Sequence, residues 1–221
     1  IGDGGQITVQ NLVPGTYTST EADPSPAFLL TSVVCDDSNS VGNVGTRTAT
    51  FHLEAGETVK CTFTDTKQPR LKVDKILVPP SDAGLFNLRI DGVVKASNVG
   101  NGGTTGWQYV SIGGHTVSET AGTSTDLANY VSVIGGDCAS NGSVSLTAGQ
   151  DKTCTITNTR KGTIIVEKQT IPDAAPGSFT FTGDASGSIG DGGQITVQNL
   201  APGTYTSTES DPTPAFDLTS V

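Results

Sequence analysis

Seven side chains able to do acid–base or amide chemistry sit where strand parity points them inward: Lys75, Glu119, Asn158, Lys168, Glu209, Glu21 and Asp65. Successive residues of a strand alternate between faces. In LKVDK, Leu71, Val73 and Lys75 therefore share a face, as Ile164, Val166 and Lys168 do in TIIVEK. Cys61, Phe63 and Asp65 align in one closing strand, and Cys154, Ile156 and Asn158 in another. Between them Tyr17 aligns with Glu21, Tyr205 with Glu209 and Val117 with Glu119. If the apolar members line a core, a Lys, a Glu and an Asp or Asn line it too. A buried Lys or Glu is costly unless paired, so the pattern predicts clusters of amine, carboxylate and carboxamide that at least satisfy one another.

The elements that must position these groups follow from a repeat. Residues 1–33 recur at 189–221, an offset of 188 (189 − 1), with four changes, Val13/Ala201, Ala22/Ser210, Ser25/Thr213 and Leu29/Asp217, leaving 29 of 33 positions identical. A diverged copy of the same plan lies between: KGTIIVEKQT matches QPRLKVDKIL, APGTYTSTE matches GGHTVSE, and KCTFTDT matches TCTITNT. The chain therefore reads as alternating modules A and B. Residues 1–66 are the C-terminal part of one A, 67–160 a complete B, and 161–221 the N-terminal part of the next A. With no Met among the 221 residues, the sequence is expected to be a piece of a longer array. Runs such as QITVQ, GTYTSTE, TRTATFHL and GSFTFTG are β-branched or alternating and bounded by Gly, Pro, Asn or Asp. The expected fold is all-β: tandem antiparallel β-sandwich modules of immunoglobulin-like or prealbumin-like type.

The four cysteines fall two per module, Cys35 and Cys61 in A, Cys138 and Cys154 in B. Four cysteines allow three pairings; the shared pattern favours Cys35–Cys61 and Cys138–Cys154. Closing a loop of about 15 residues stabilises by about 3 kcal/mol in the chain-entropy model. A metal site is the alternative, but no CxxC occurs and the histidines are only His52 and His115. Disulfides imply an oxidising, extracellular setting.

Composition excludes several functions. Twelve basic against 22 acidic residues give a net charge of −10, which disfavours nucleic acid. No apolar run approaches the ~18 residues of a helical span, so no membrane segment is expected here. Trp107 and Tyr109 offer an aromatic platform for glycan, but they stand where A has Ile7 and Val9 and read as core filling. CDDSNS and IGDGGQ hold oxygen ligands without Ca²⁺-loop spacing, so neither a metal nor a cofactor is expected. The sequon at Asn141 is a single hit in a turn, and His115 reads as a packed side chain. No catalytic triad or phosphate loop emerges, and no enzyme is predicted.

The Lys at the end of the first strand, L-x-PG-x-Y-x-x-x-E in the middle and T-x-T-N/D-T at the close resemble the Cna-B and SpaA-like prealbumin-type domains of bacterial surface adhesins and pilins. NLAPGTYTSTESDPTPAF (199–216) is the nearest stretch, with Phe216 where the family usually has Tyr. Many of those domains carry an intramolecular isopeptide bond. The resemblance implies that Lys75 attacks the Asn158 carboxamide, releasing ammonia, while Glu119 shuttles protons. In A the corresponding groups are Lys168 and Glu209 at one end of the chain and Glu21 and Asp65 at the other, an Asp acceptor releasing water. Burial lowers a Lys pKa towards the neutral nucleophile and raises that of a Glu towards the proton donor. The chain departs from the family in its paired cysteines and in the longer SETAGTSTDLANY after Glu119.

The function expected on these grounds is structural: a secreted or cell-surface stalk or extracellular filament whose partners are further copies of itself. The rival is a multivalent adhesin binding glycan or matrix protein. It predicts loop tips that differ between copies, and the two A copies barely differ at theirs.

Overall fold

Short β-branched runs broken by Gly, Pro and Asn become strands throughout the computed structural model, which describes residues 1–212 and 215–220. Thr213 and Pro214 of the 199–216 stretch, and the last repeat residue Val221, lie outside the described residues. The strands are β1 (Gly15–Thr20), β2 (Phe28–Cys35), β3 (Val41–Asn43), β4 (Thr48–Leu53), β5 (Cys61–Lys67), β6 (Arg70–Val78), β7 (Phe86–Ile90), β8 (Val93–Val99) and β9 (Gln108–Tyr109). They continue as β10 (Gly113–Ala121), β11 (Tyr130–Gly136), β12 (Ser143–Leu146), β13 (Asp151–Arg160), β14 (Gly162–Glu167), β15 (Phe179–Gly183), β16 (Gly187–Ile189), β17 (Gln194–Leu200) and β18 (Ser207–Glu209). No helix among the described residues is long and apolar enough to cross a membrane.

The middle stretch has two four-stranded sheets, ordered β12-β10-β7-β8 and β11-β13-β6-β9. Before it stand the smaller sheets β1-β4-β3 and β2-β5, and after it β14-β17 and β16-β15-β18. The chain divides into two compact units. One comprises residues 1–71, 107–114 and 145–152, the other 72–106, 115–144 and 153–221.

Alternation decides which side chains enter the core. Along β6, Leu71, Val73, Lys75 and Leu77 are buried while their neighbours are not. β7 buries Phe86, Leu88 and Ile90 in the same way, and β13 buries Cys154, Ile156 and Asn158. In the second unit Leu77, Phe86 and Tyr130, from three strands of two sheets, form one apolar cluster. The Phe86 and Tyr130 rings meet edge-on at 5.2 Å, the geometry that ring quadrupoles favour. In the first unit Leu30, Val33 and Ala49 form a smaller cluster, with Phe51, Cys61 and Phe63 only partly buried against it.

The near-identical ends of the chain do not fold alike, which corrects the uniform strand reading. QITVQNL at 194–200 is β17, paired with β14 in a register that sets Val166 opposite Ile195 and Ile164 opposite Val197. The same seven residues at 6–12 form no strand, and Ile7 and Val9 are 76% and 67% exposed. Propensity is equal in the two copies, so the presence of a paired neighbour decides the outcome. Partners differ likewise downstream. β1 pairs with β4, whereas β18, from the repeat of that region, pairs with β15.

Trp107 and Tyr109 are also corrected. They are 43% and 44% exposed and do not fill a core. β9 is a two-residue edge strand opposite Arg70 and Leu71, so its side chains stand at a rim. The Arg70 guanidinium lies 5.1 Å from the Trp107 ring centroid and donates to both carboxylate oxygens of Asp151.

Candidate functional site

Lys75 is an inward position of β6 occupied by an amine, and its side chain is fully buried. Its Nζ donates to Glu119 Oε2 at 2.7 Å and to the Ile156 carbonyl at 3.3 Å. The same ammonium stands 4.1 Å from the centroid of the Phe86 ring, where the negative face of the π system attracts it. Burial pushes the Lys75 amine below its ordinary 10.5, more strongly than the hydrogen bond and charge of Glu119 pull it back. A depressed amine pKa raises the fraction present as the neutral nucleophile.

Glu119 is brought opposite Lys75 by β10, in the other sheet. The second carboxylate oxygen accepts from Ser132 Oγ at 3.1 Å. Ser132 on β11 lies directly opposite Asn158 on β13. Glu119 thus bonds side chains of β6 and β11, the two strands that flank β13 and its carboxamide.

Asn158 is fully buried, two residues along β13 from Ile156, whose carbonyl receives Lys75. Neither its Oδ1 nor its Nδ2 has a hydrogen-bond partner. An unsatisfied buried polar group costs about 1–3 kcal/mol, and native cores rarely leave one unexplained. The second unit therefore holds a buried amine of lowered pKa, a carboxylate bonded to it, and an orphaned carboxamide on the strand beside it.

The A-type residues form two separate sets, one in each unit. Lys168 Nζ lies 2.9 Å from Glu209 Oε1, with side chains 12% and 9% exposed, as an ion pair without the angles of a directed hydrogen bond. Its ammonium stands 4.2 Å from the Phe179 ring centroid, repeating the contact of Lys75 with Phe86. Phe216 meets Phe179 edge-on at 4.9 Å, as Tyr130 meets Phe86.

Glu21 and Asp65 face one another with no lysine between them. Asp65 is exposed, which corrects its assignment to a core: in the sheet of two, β5 has β2 on one side and an open edge on the other. Burial, then the charge and hydrogen bond of Asp65, push the Glu21 carboxyl above its ordinary 4.5, against the pull of Arg47. A raised folded-state value means that this contribution to stability is complete below the unfolded pKa and is lost as pH rises through the folded one. We expect the thermal stability of the first unit to fall from pH 4 to pH 7, and E21Q, which mimics the protonated acid, to flatten that slope. An unchanged slope in E21Q would remove Glu21 from the account.

The disulfides join Cys35 to Cys61 across β2 and β5, and Cys138 to Cys154 at the start of β11's partner strand. No free cysteine remains among the described residues. His115 is buried, with Nδ1 2.7 Å from Asp91 Oδ2. No group of His, Cys, Asp or Glu among the described residues is arranged to hold a metal. Sequence reasoning missed Ser132, whose only signal is its register opposite Asn158, and the Phe86 and Phe179 rings beneath the two lysines. It also missed Asp82 and Arg160, which bind the Tyr130 hydroxyl at 2.6 and 3.0 Å.

Residues 3–67 match the SpaA-type family model described as a prealbumin-like fold domain. No curated protein matches the chain. Among solved structures it is similar to the Bacillus anthracis TIE protein, at 12% identity and a TM-score of 0.38, over 89% of this chain and 45% of that one. The chain thus spans less than half the length of that protein.

Proposed function

From a prealbumin-like domain at residues 3–67 and a complete sandwich of the same plan after it, we propose that this chain is a structural segment of a secreted surface stalk or extracellular filament. Each module is closed by a disulfide, and the middle one by an amide between Lys75 and Asn158. The observation that carries the covalent step is the fully buried Asn158 carboxamide with both polar atoms orphaned, beside a buried amine. Lys75 Nζ attacks Asn158 Cγ, the C–N bond of the carboxamide breaks, and Nδ2 leaves as ammonia. Glu119 takes a proton from the amine and delivers it to the leaving nitrogen. The oxygen Oδ1 stays on the new amide, so no oxidant or cofactor is required.

The mechanical role follows from which strands are joined. β6 opens the middle module, β13 closes it, and the two are neighbours in one sheet. Tension applied along a tandem array enters near those strands, and an amide between them carries load without unfolding the module. Solvent exclusion around Lys75 holds the reactants close, which supplies the effective molarity the reaction needs.

Intact-mass spectrometry of the oxidised chain tests the bond. The expected mass is about 17 Da below that of the disulfide-bonded chain, the mass of one ammonia lost on acyl transfer, with N158A lacking the deficit. A wild-type chain at the full disulfide-bonded mass overturns the covalent step.

A further inference from the structure

The segment between Glu119 and Tyr130 is the part of the middle stretch that the shared plan does not explain. It holds ten residues, 120–129, where the A copies have six, 22–27 and 210–215, between Glu21 or Glu209 and the ring that corresponds to Tyr130. Two further differences accompany it. Tyr130 stands where the A copies have Phe28 and Phe216, and Arg160, six residues after Cys154, stands where Lys67 follows Cys61. All three differences meet at one place in the second unit. Thr123, Ser124, Asp126, Asn129, Tyr130 and Arg160 line a cavity of about 320 Å³. Small-molecule sites begin at about 300 Å³.

One wall of that cavity is a guanidinium anchored through a single nitrogen. Arg160 Nη1 donates to the Tyr130 hydroxyl at 3.0 Å and to Asp82 Oδ2 at 3.3 Å. The Tyr130 hydroxyl donates to Asp82 Oδ1 at 2.6 Å, and Gly84 N donates to the same oxygen at 2.8 Å. The Asp82 side chain is 9% exposed, that of Arg160 48%. The anchor is thus buried and the cation reaches solvent. Among the described residues Nε and Nη2 of Arg160 make no hydrogen bond. Those two nitrogens form an edge of the fork that takes both oxygens of a carboxylate. A lysine in the same place has no such edge, and a phenylalanine in place of Tyr130 has no hydroxyl to hold it.

The longer segment contributes hydroxyl and amide groups. It is pinned through its main chain and Thr125: Gly122 N donates to the Leu85 carbonyl, Thr123 N to Asn98 Oδ1, and Leu85 N to Thr125 Oγ1. Ser124 is held at a φ of +58°, a left-handed conformation that is costly for a residue other than glycine and persists where the surroundings fix it. Among the described residues the side chains of Thr123, Ser124 and Asn129 make no hydrogen bond, and all three residues line the cavity. Charge nearby is balanced. Lys161, whose Nζ donates to the Ala128 carbonyl at 2.9 Å, and Arg160 offset Asp82 and Asp126. Such a site admits a single negative charge more readily than a dianionic phosphate.

We propose that this cavity binds a saccharide bearing one carboxylate, a hexuronate or a sialate, with the carboxylate on the Nε–Nη2 edge of Arg160 and ring hydroxyls paired with Thr123, Ser124 and Asn129. The inference rests on neither the filament role nor the Lys75–Asn158 amide. It places recognition in the segment where module B departs from module A, and scaffold in the parts the modules share.

Titration of the isotope-labelled full chain with D-glucuronate and with N-acetylneuraminate, followed through backbone amide shifts, tests this. The expected result is saturable shifts at residues 123–129 and at Arg160 with at least one of the two acids. D-glucose and acetate, each carrying half of the recognised chemistry, should bind about tenfold more weakly or worse. R160K keeps a cation beside Asp82 and loses the fork, so it is expected to weaken binding of the acid about tenfold. N129A touches none of the Arg160 anchors and should weaken binding with the rest of the spectrum unchanged; it carries the test if R160K does not fold. Absence of shifts with both acids, glucose or acetate binding as tightly as the acid, or a folded R160K or N129A that binds like wild type each overturns the proposal.

Discussion

Replacing Glu119 with Ala is expected to destabilise the second unit by about 3–5 kcal/mol, the cost of leaving a buried charge without its partner. Lys75 has no access to solvent, and its other neighbours are one carbonyl at 3.3 Å and the face of Phe86. Neither neutralises an ammonium. E119Q keeps an acceptor at the same place and removes only the charge, so it should lose less. The pH dependence has a definite sign. The folded-state pKa of Lys75 lies below 10.5, because burial outweighs Glu119. Between the two values the unfolded chain holds a proton that the folded one does not, and stability rises with pH across that window. Without Glu119 burial acts unopposed, so E119A should recover part of its loss at alkaline pH. Chemical denaturation followed by hydrogen exchange of the β6 and β10 amides measures both effects. An E119A midpoint equal to wild type would show that the pair does not hold the module. If the amide forms, Lys75 does not titrate and the pH-dependent recovery is confined to variants that lack it; mass on the same samples separates the cases.

Parity is enough to place Lys75, Glu119 and Asn158 in one core, because β6, β10 and β13, which carry them, each have a strand on both sides. Cys154, Ile156 and Asn158 alternate inward along β13 as their spacing requires. The same reasoning fails for Asp65, although Cys61-Phe63-Asp65 has the same spacing. Alternation fixes which face a side chain takes, but burial of that face depends on what lies beside it. Gln6–Gln10 fails for the related reason that a strand is a pairing, not a property of five residues. Trp107 and Tyr109 do not fill a core, and the positions they match, Ile7 and Val9, are exposed too. Ser132 and Phe86 could not be found by period at all, since they meet the site through register and sheet stacking.

The repeat supplies its own control for that lesson, in a pair of leucines. Leu30 and Leu218 occupy the same position 188 residues apart (218 − 30), within nearly identical surroundings of sequence. Leu30 is 4% exposed and packs with Val33 and Ala49; Leu218 is 52% exposed. The difference is β5, which pairs with β2 and sets Asp65 opposite Leu30. Leu30→Ala removes buried methyl groups and leaves a cavity, an expected loss of about 2–4 kcal/mol. Leu218→Ala, at an exposed position, should stay within about 0.5 kcal/mol of wild type. Hydrogen exchange of the β2 and β5 amides reads the first effect locally, because opening of that pair exposes Val33 and Phe63 together. Equal effects of the two substitutions would mean that local sequence, not the β2–β5 pairing, sets the stability of this segment.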